Sequence, residues 1–416
     1  MTSEPLDAGR SGYRWVMLAL LCVGYGSFGL VSASLAPLVS PILHDTGMTR
    51  SGMGLVLGSW QFVYLFVAIP AGAAIDRFGL RRALFAGIAL VALSQALRAL
   101  AVDQLTMLGA VMVFGLGGPF ISVGAPKLVA TWFSPREVGM ALGIYTVSPS
   151  VGSMIVTATA NSVLMPATGG SWRLTLLVFA GCAAAAAVAW LLLAREPRGA
   201  EAGGEGAGAP PASMLTAFRE LLGVRVVQLV LVMAMLCFLF NHSLNNWLPE
   251  ILRARGMSPA AAGFWASLPT LVAIPAALVI PRFTPERWQI AVQVGVFVLW
   301  AAAALLVPFG SDGAASLGLV LIGLGRGAAF PLLMLTLLRS REIGPRLMGA
   351  AGGLFFTAGE IGGVLGPSLT GVLADATGGF GVGLVTLAVV SLVLALLAFP
   401  LRAATRAGAS TPLAAR

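Results

Sequence analysis

Charge is what this chain has least of. Of its 416 residues only 10% are Asp, Glu, Lys or Arg, against 58% hydrophobic residues and a mean hydropathy of +0.93. A water-soluble domain carries about a quarter charged residues, so a soluble globular fold is excluded. Acidic residues are scarcer than basic ones, 16 against 25, and the formal charge is +9. A basic excess points to nucleic acid when it forms a patch. Here the basic residues fall one to three at a time between apolar runs, which is membrane topology, and no nucleic-acid partner is expected. Lysine is nearly absent, with Lys127 standing alone. Three cysteines, Cys22, Cys182 and Cys237, lie inside apolar runs without paired spacing, so neither a disulfide framework nor a zinc site is indicated. No nucleophile–base pair, metal cluster or nucleotide-binding loop stands out. Neither an enzyme nor an ATP-driven pump is expected, and no cofactor. The first polar residues lead straight into a full-length apolar run, so a removable signal peptide is not expected.

What the chain has in quantity is apolar length. Helices of about 20 residues cross the ~30 Å hydrocarbon core of a bilayer. Twelve such spans are predicted, at 15–39, 51–75, 83–101, 105–131, 138–162, 173–194, 225–251, 260–280, 289–308, 315–338, 347–373 and 380–400. Arginines gather on one set of connections, including Arg14, Arg77, Arg81, Arg82, Arg136, Arg195, Arg339 and Arg402. The other set holds only Arg50, Arg173, Arg253 and Arg255. That asymmetry puts both termini in the cytoplasm of a bacterial-type inner membrane. Residues 195–223, rich in Gly, Ala, Pro and Glu around 199–212, read as a cytoplasmic linker. The linker divides the chain into an N-terminal six-helix bundle at 1–194 and a C-terminal one with a cytoplasmic tail at 224–416. Residues 217–222 are predicted to form a short surface helix.

The halves echo one another. At an offset of 205 residues Pro70-Ala71, Ile75, Arg77-Phe78 and Arg82 recur as Pro275-Ala276, Ile280, Arg282-Phe283 and Arg287, and Arg136-Glu137 recurs as Arg341-Glu342. Gly115-Leu116-Gly117 recurs as Gly323-Leu324-Gly325, three residues out of step. Their common order points to a duplicated six-helix unit. Repeats of this kind place a substrate site near the membrane midplane, between the halves.

The stretch Gly72-Ala73-Ala74-Ile75-Asp76-Arg77-Phe78-Gly79-Leu80-Arg81-Arg82 runs between the second and third spans. It resembles the signature loop of the major facilitator superfamily: a Gly, an Asp four residues on, then Arg, Gly and a basic pair. With the twelve spans, the central linker and the degenerate echo at Pro281-Arg282-Phe283, the resemblance covers essentially the whole chain. It implies an all-α fold of twelve transmembrane helices in two pseudo-repeated bundles, working by alternating access. Two departures weigh against drug efflux. The fourth span lacks the arginine usual in proton-coupled drug exporters, and Ser148-Pro149-Ser150-Val151-Gly152 is only part of the antiporter motif. A finer similarity, to the cyanate and nitroimidazole transporter branch, lies in Leu244-Asn245-Asn246-Trp247-Leu248-Pro249, in Arg255-Gly256-Met257-Ser258-Pro259 and in Phe330-Pro331-Leu332.

Arg326 dominates the candidate residues, because it sits near the middle of the tenth span. An arginine there costs on the order of 2.5–3.5 kcal/mol and faces an interior, not lipid. Its guanidinium suits a small anion, and the flanking glycines clear space for a ligand or a close helix neighbour. The competing reading is a structural ion pair with Glu360, which lies at matching depth in the eleventh span. A substrate anion that took the arginine would leave Glu360 to bind a proton, a route to coupling. Asn241, His242, Asn245 and Asn246 form adjoining stripes on the seventh span, suited to a wet cavity or to helix–helix hydrogen bonds. Tyr25, Trp60, Gln61 and Tyr145 in the first half and Phe355 in the second lie at mid-depth, able to line a site or simply to pack. Lys127 is expected to snorkel to the interface, and Arg98 to snorkel or to pair with Asp103. Asp76, Arg77, Arg81, Arg136 and Glu137 are candidate gating charges, which in the resembled fold latch the halves together. The combined expectation is a monomeric secondary transporter of a small organic or inorganic anion, with protons as a coupling ion. Proton-driven efflux of an amphipathic drug is the alternative, and a receptor that kept the fold without transport is a third reading.

Overall fold

Inside a bilayer no water is available to peptide groups, so an apolar chain satisfies its backbone by winding into helices. The computed structural model describes residues 8–196, 211–340 and 342–410, and no strand occurs among them. Twelve helices are long and apolar enough to cross a membrane, at the positions the apolar runs predict. Large apolar side chains stand outward from them, such as Phe66, Leu192 and Leu396, as lipid-facing surfaces require.

Two compact units emerge. The first takes in Met1–Met48 and Ser59–Gly203. It holds α1 (Ala8–Ala33), α2 (Val39–Thr46), most of α3 (Arg50–Phe78), α4 (Leu80–Ala99), α5 (Gln104–Trp132), α6 (Pro135–Thr159), the short α7 (Met165–Ala167) and α8 (Trp172–Leu193). The second takes in Thr49–Gly58 and Gly204–Arg416. It holds α9 (Pro211–Leu222), α10 (Arg225–Ala254), α11 (Pro259–Phe283), α12 (Gln289–Phe309), α13 (Asp312–Leu338), α14 (Gly344–Thr377) and α15 (Gly381–Ser410). Helix α9 contains the predicted surface helix and starts earlier, at Pro211. Residues 197–210 of the 195–223 linker, and Arg341 of the repeated Arg-Glu pair, lie outside the described residues. The first turns of α3 belong with the second unit, where the Asp375 carboxylate accepts the Arg50 and Ser51 backbone N–H groups at 3.2 and 2.7 Å.

The duplicated Gly-Leu-Gly does the same packing work in each unit. A Cβ at Gly115 of α5 would stand 2.4 Å from the Trp60 carbonyl oxygen on α3, and one at Gly323 of α13 2.6 Å from that of Pro269 on α11. The second glycine of each pair turns to another neighbour: Gly117 to Gly87 on α4, Gly325 to the Trp300 indole on α12. Helix α14 lies on α10 with equal closeness, a Cβ at Gly362 falling 1.9 Å from the Met235 carbonyl oxygen. In lipid, where apolar side chains gain little by leaving the solvent, such backbone approach is what holds helices together. Gly79 serves differently. Its φ of +86° turns the chain between α3 and α4, a conformation that disfavours any side chain.

Candidate functional site

Helix α13 carries Arg326 with each flanking glycine committed to a neighbour: Gly325 against α12, Gly323 and Gly327 against α11. The glycines therefore clear space for helices and not for a ligand. The arginine itself is half-buried, and its one protein hydrogen bond runs from Nη1 to the Thr270 hydroxyl on α11, a long 3.4 Å. No ion pair joins it to Glu360 among the described residues, so the structural pairing expected from their depths is not formed. Equal depth fixes height along the membrane normal but not the direction in which a helix points its residue. On α14 the Oε2 atom of Glu360 is buried without a hydrogen-bond partner.

Phe238 of α10 joins the two helices that carry them. Its ring meets Phe330 at 4.8 Å, one turn beyond Arg326, and Phe355 and Phe356 of α14 at 6.3 and 6.5 Å. A Cβ at Gly359, next to Glu360, would fall 2.8 Å from that ring. One turn along α10, His242 stacks on Phe238 at 5.9 Å and lies within electrostatic reach of Arg326. The Asn241 side-chain oxygen beside it is buried and unpartnered. Arg326, His242, Asn241 and Glu360 thus sit on the three helices that meet at this ring, with Thr270 of α11 hydrogen-bonded to Arg326, all within the second unit. Asn246 departs from this group. It is 4% exposed and donates back to the His242 carbonyl at 2.8 Å within its own helix. Asn245 stays partly exposed on α10, while Phe355 is packed away at 1%. Sequence reasoning passed over Phe238 and Thr270. Phe238 shares the i, i+4 stripe of His242 and was legible in principle, whereas nothing in the sequence marks one threonine of α11.

The first unit gathers its candidates into an aromatic cluster. Tyr25 meets Tyr145 at 5.8 Å and Phe28 at 5.7 Å, and Trp60 meets Phe28 and Phe114 at 5.9 and 5.2 Å. Gln61 beside Trp60 is fully buried. Arg98 neither snorkels nor pairs with Asp103. It is 1% exposed, its guanidinium lies over Phe114 at 5.3 Å, and Nη1 donates to the Val31 carbonyl at 2.7 Å and the Ser34 hydroxyl at 3.3 Å. A cation at the carboxyl end of α1 meets the negative end of the helix dipole, which replaces a carboxylate partner. Asp103 instead caps α5, and the Thr106 N–H holds its carboxyl below the usual range.

Four of the five gating candidates find partners inside the first unit. Asp76 is ion-paired with Lys127, which therefore reaches a carboxylate and does not merely snorkel. Glu137 accepts from Arg14 and the Ser134 hydroxyl, each at 2.8 Å. Arg81 donates to the Leu191 carbonyl at 2.8 Å, Arg77 lies over Phe78 at 5.4 Å, and Arg136 is exposed.

Comparison with known proteins bears on the whole of this arrangement. The chain is 26% identical over 402 residues to the 2-nitroimidazole transporter of Escherichia coli K12, covering 95% of this chain and 97% of that protein. It is 25% identical to the D-galactonate transporter of Escherichia coli O6:H1, covering 94% of this chain and 96% of that protein. Among solved structures, a bacterial homologue of the human lysosomal transporter Spinster superposes with a TM-score of 0.78 at 16% identity, covering 96% of this chain and 99% of that one. Residues 21–367 match the model of the Major Facilitator Superfamily, so the chain is a multi-pass membrane transporter of that superfamily.

Proposed function

We propose that this transporter carries a small anion by alternating access, with Arg326 as the anchor and Glu360 as the proton-coupling group. The observation that carries the reading is the unpaired guanidinium. A mid-membrane arginine that, among the described residues, donates one long hydrogen bond to a hydroxyl and meets no carboxylate keeps most of its donors for a ligand. Asn241, His242 and the Phe238 hub supply polar and aromatic surroundings for a compact cargo. Relatives named as transporters of D-galactonate, of galactarate and D-glucarate, and of hexuronate all act on acid sugars, in keeping with an anionic cargo. The chain is proposed to lie in the inner membrane with both termini cytoplasmic, to work as a monomer, and to divide at the linker into the two bundles that move.

The test is thermal unfolding of purified protein against a panel of small monocarboxylates, sugar acids and inorganic anions. At least one should stabilise the wild type and leave Arg326→Ala unmoved. The affinity lost should be about tenfold or more, as expected for a charge-assisted hydrogen bond. A panel that stabilises both proteins equally overturns the assignment. The buried, unpartnered Glu360 oxygen favours one second reading, efflux of a cationic amphipath bound by that carboxylate. Stabilisation by cations, abolished in Glu360→Gln, would select it.

A further inference from the structure

A second basic site lies away from Arg326, in the same unit. A cavity of about 560 Å³ opens where the start of α12, the end of α13, the start of α10 and the end of α15 meet. Arg287, Arg339, Arg402 and Arg406 line it, against only two carboxylates, Glu286 and Glu342. Arg339 stands thirteen residues along α13 from Arg326, about 20 Å at 1.5 Å per residue, so this is not the anion site already described.

The floor is polar and locked. Gln289 is 5% exposed and donates to the Leu332 carbonyl at 2.9 Å and the Thr336 hydroxyl at 2.8 Å, while its own oxygen accepts from Arg339 Nη1 at 2.7 Å. That bond aims Arg339, and among the described residues no ion pair holds its guanidinium. Neither Arg287 nor Arg402 has a carboxylate within ion-pair distance among the described residues. Trp288, 56% exposed, stands at the rim, and Val226 and Ile290 give the wall an apolar side. An exposed indole at the end of a span belongs at the level of lipid headgroups. Arginine forks grip phosphate in pairs of parallel bonds.

We propose that this cavity binds the phosphodiester headgroup of an anionic phospholipid, in the leaflet on the side of the chain termini. The shared chemistry is phosphate. The indole rim and apolar wall favour a lipid over a soluble phosphate, and basic pockets between membrane helices are suited to such headgroups.

The test compares dioleoylphosphatidylglycerol, dioleoylphosphatidylcholine and inorganic phosphate, each added to purified full-length protein in neutral detergent. Phosphatidylglycerol should raise the unfolding temperature by about 5 °C at saturation, with phosphatidylcholine and inorganic phosphate inert. At least half of that rise should vanish in Arg287→Gln/Arg402→Gln and persist in Arg136→Gln. A rise of equal size in the double variant, or no rise in the wild type, overturns the proposal. An equal rise with inorganic phosphate overturns the lipid assignment in favour of a soluble phosphate. A measurement that needs no variant runs beside it: native mass spectrometry of wild-type protein offered both lipids in equal amounts. Preferential retention of phosphatidylglycerol supports the site, and equal retention of the two lipids refutes it.

Discussion

Arg98 and Arg326 both lie within the helices of the bundle with no carboxylate in ion-pair distance among the described residues, and the difference between them is instructive. Arg98 is 1% exposed and spends its donors on a helix end, the Val31 carbonyl and the Ser34 hydroxyl, over the face of Phe114. Its charge is answered by a fixed dipole, so it is a structural cation. Arg326 is half-buried and answered by one hydroxyl at 3.4 Å. Placing such a group there costs on the order of 2.5–3.5 kcal/mol, which is the ground for proposing that Arg326 pairs with a ligand. The identity of the residue supplies a prediction that loss of the side chain does not. Arg326→Lys keeps the charge and gives up the planar fork. If the ligand is a carboxylate held by two parallel bonds, the lysine variant should bind it about tenfold more weakly than wild type yet still outbind Arg326→Ala. Ligand titrations monitored by thermal shift separate the three proteins. Equal binding by lysine and arginine would leave the guanidinium as a mere positive charge.

At the scale of the helix, the spans were readable because membrane helices carry a strong and simple signal, twenty apolar residues without interruption. Pro70, Pro119, Pro126 and Pro149 sit inside helices without ending them, and composition at span length still placed every crossing. Azimuth was not readable. Depth alone offers Glu360 as a structural partner for Arg326, and no ion pair joins them among the described residues; a stripe beside that of Asn241 and Asn245 offers Asn246 to a site, and it bonds to its own helix. In lipid both faces of a helix are apolar, so hydropathy does not say which side faces protein. The glycines say it. Along α14, Gly362 touches the α10 backbone whereas Gly353 has open space around it. Gly362→Val must push α14 off α10, and overpacking of this kind costs about 1–3 kcal/mol or more. Gly353→Ala should instead be neutral or stabilise slightly, by up to about 1 kcal/mol of helix propensity. Unfolding temperatures in one detergent should fall for the first variant and hold or rise for the second. Similar losses in both would mean that the close approach of α10 and α14 is not what holds this pair.

At the scale of the molecule, the duplication is legible as six short scattered matches and is visible as shared contacts. Gly115 and Gly323 each admit a helix carbonyl at nearly the same distance, on corresponding helices of the two units. The units nonetheless differ in chemistry. The first builds an aromatic cluster around Tyr25, Trp60 and Tyr145, with its charges paired at the end that carries Asp76 and Glu137. The second carries Arg326, His242 and Glu360 on the three helices that meet at Phe238, and among the described residues Arg326 and Glu360 are not ion-paired. On the reading proposed above, that asymmetry is where a coupled cycle would reside, because the second unit carries both the proposed anion anchor, Arg326, and the proposed proton-coupling group, Glu360. Coupling of this kind makes a prediction about the cycle as a whole. In proteoliposomes loaded with the stabilising anion, Glu360→Gln should lose uptake driven by an inward proton gradient while still exchanging internal for external anion. Exchange needs only the return of a loaded carrier, whereas net uptake needs the proton to be released. If Glu360→Gln retains gradient-driven uptake at the wild-type rate, Glu360 is not the coupling group, and the proton, if there is one, travels by another residue.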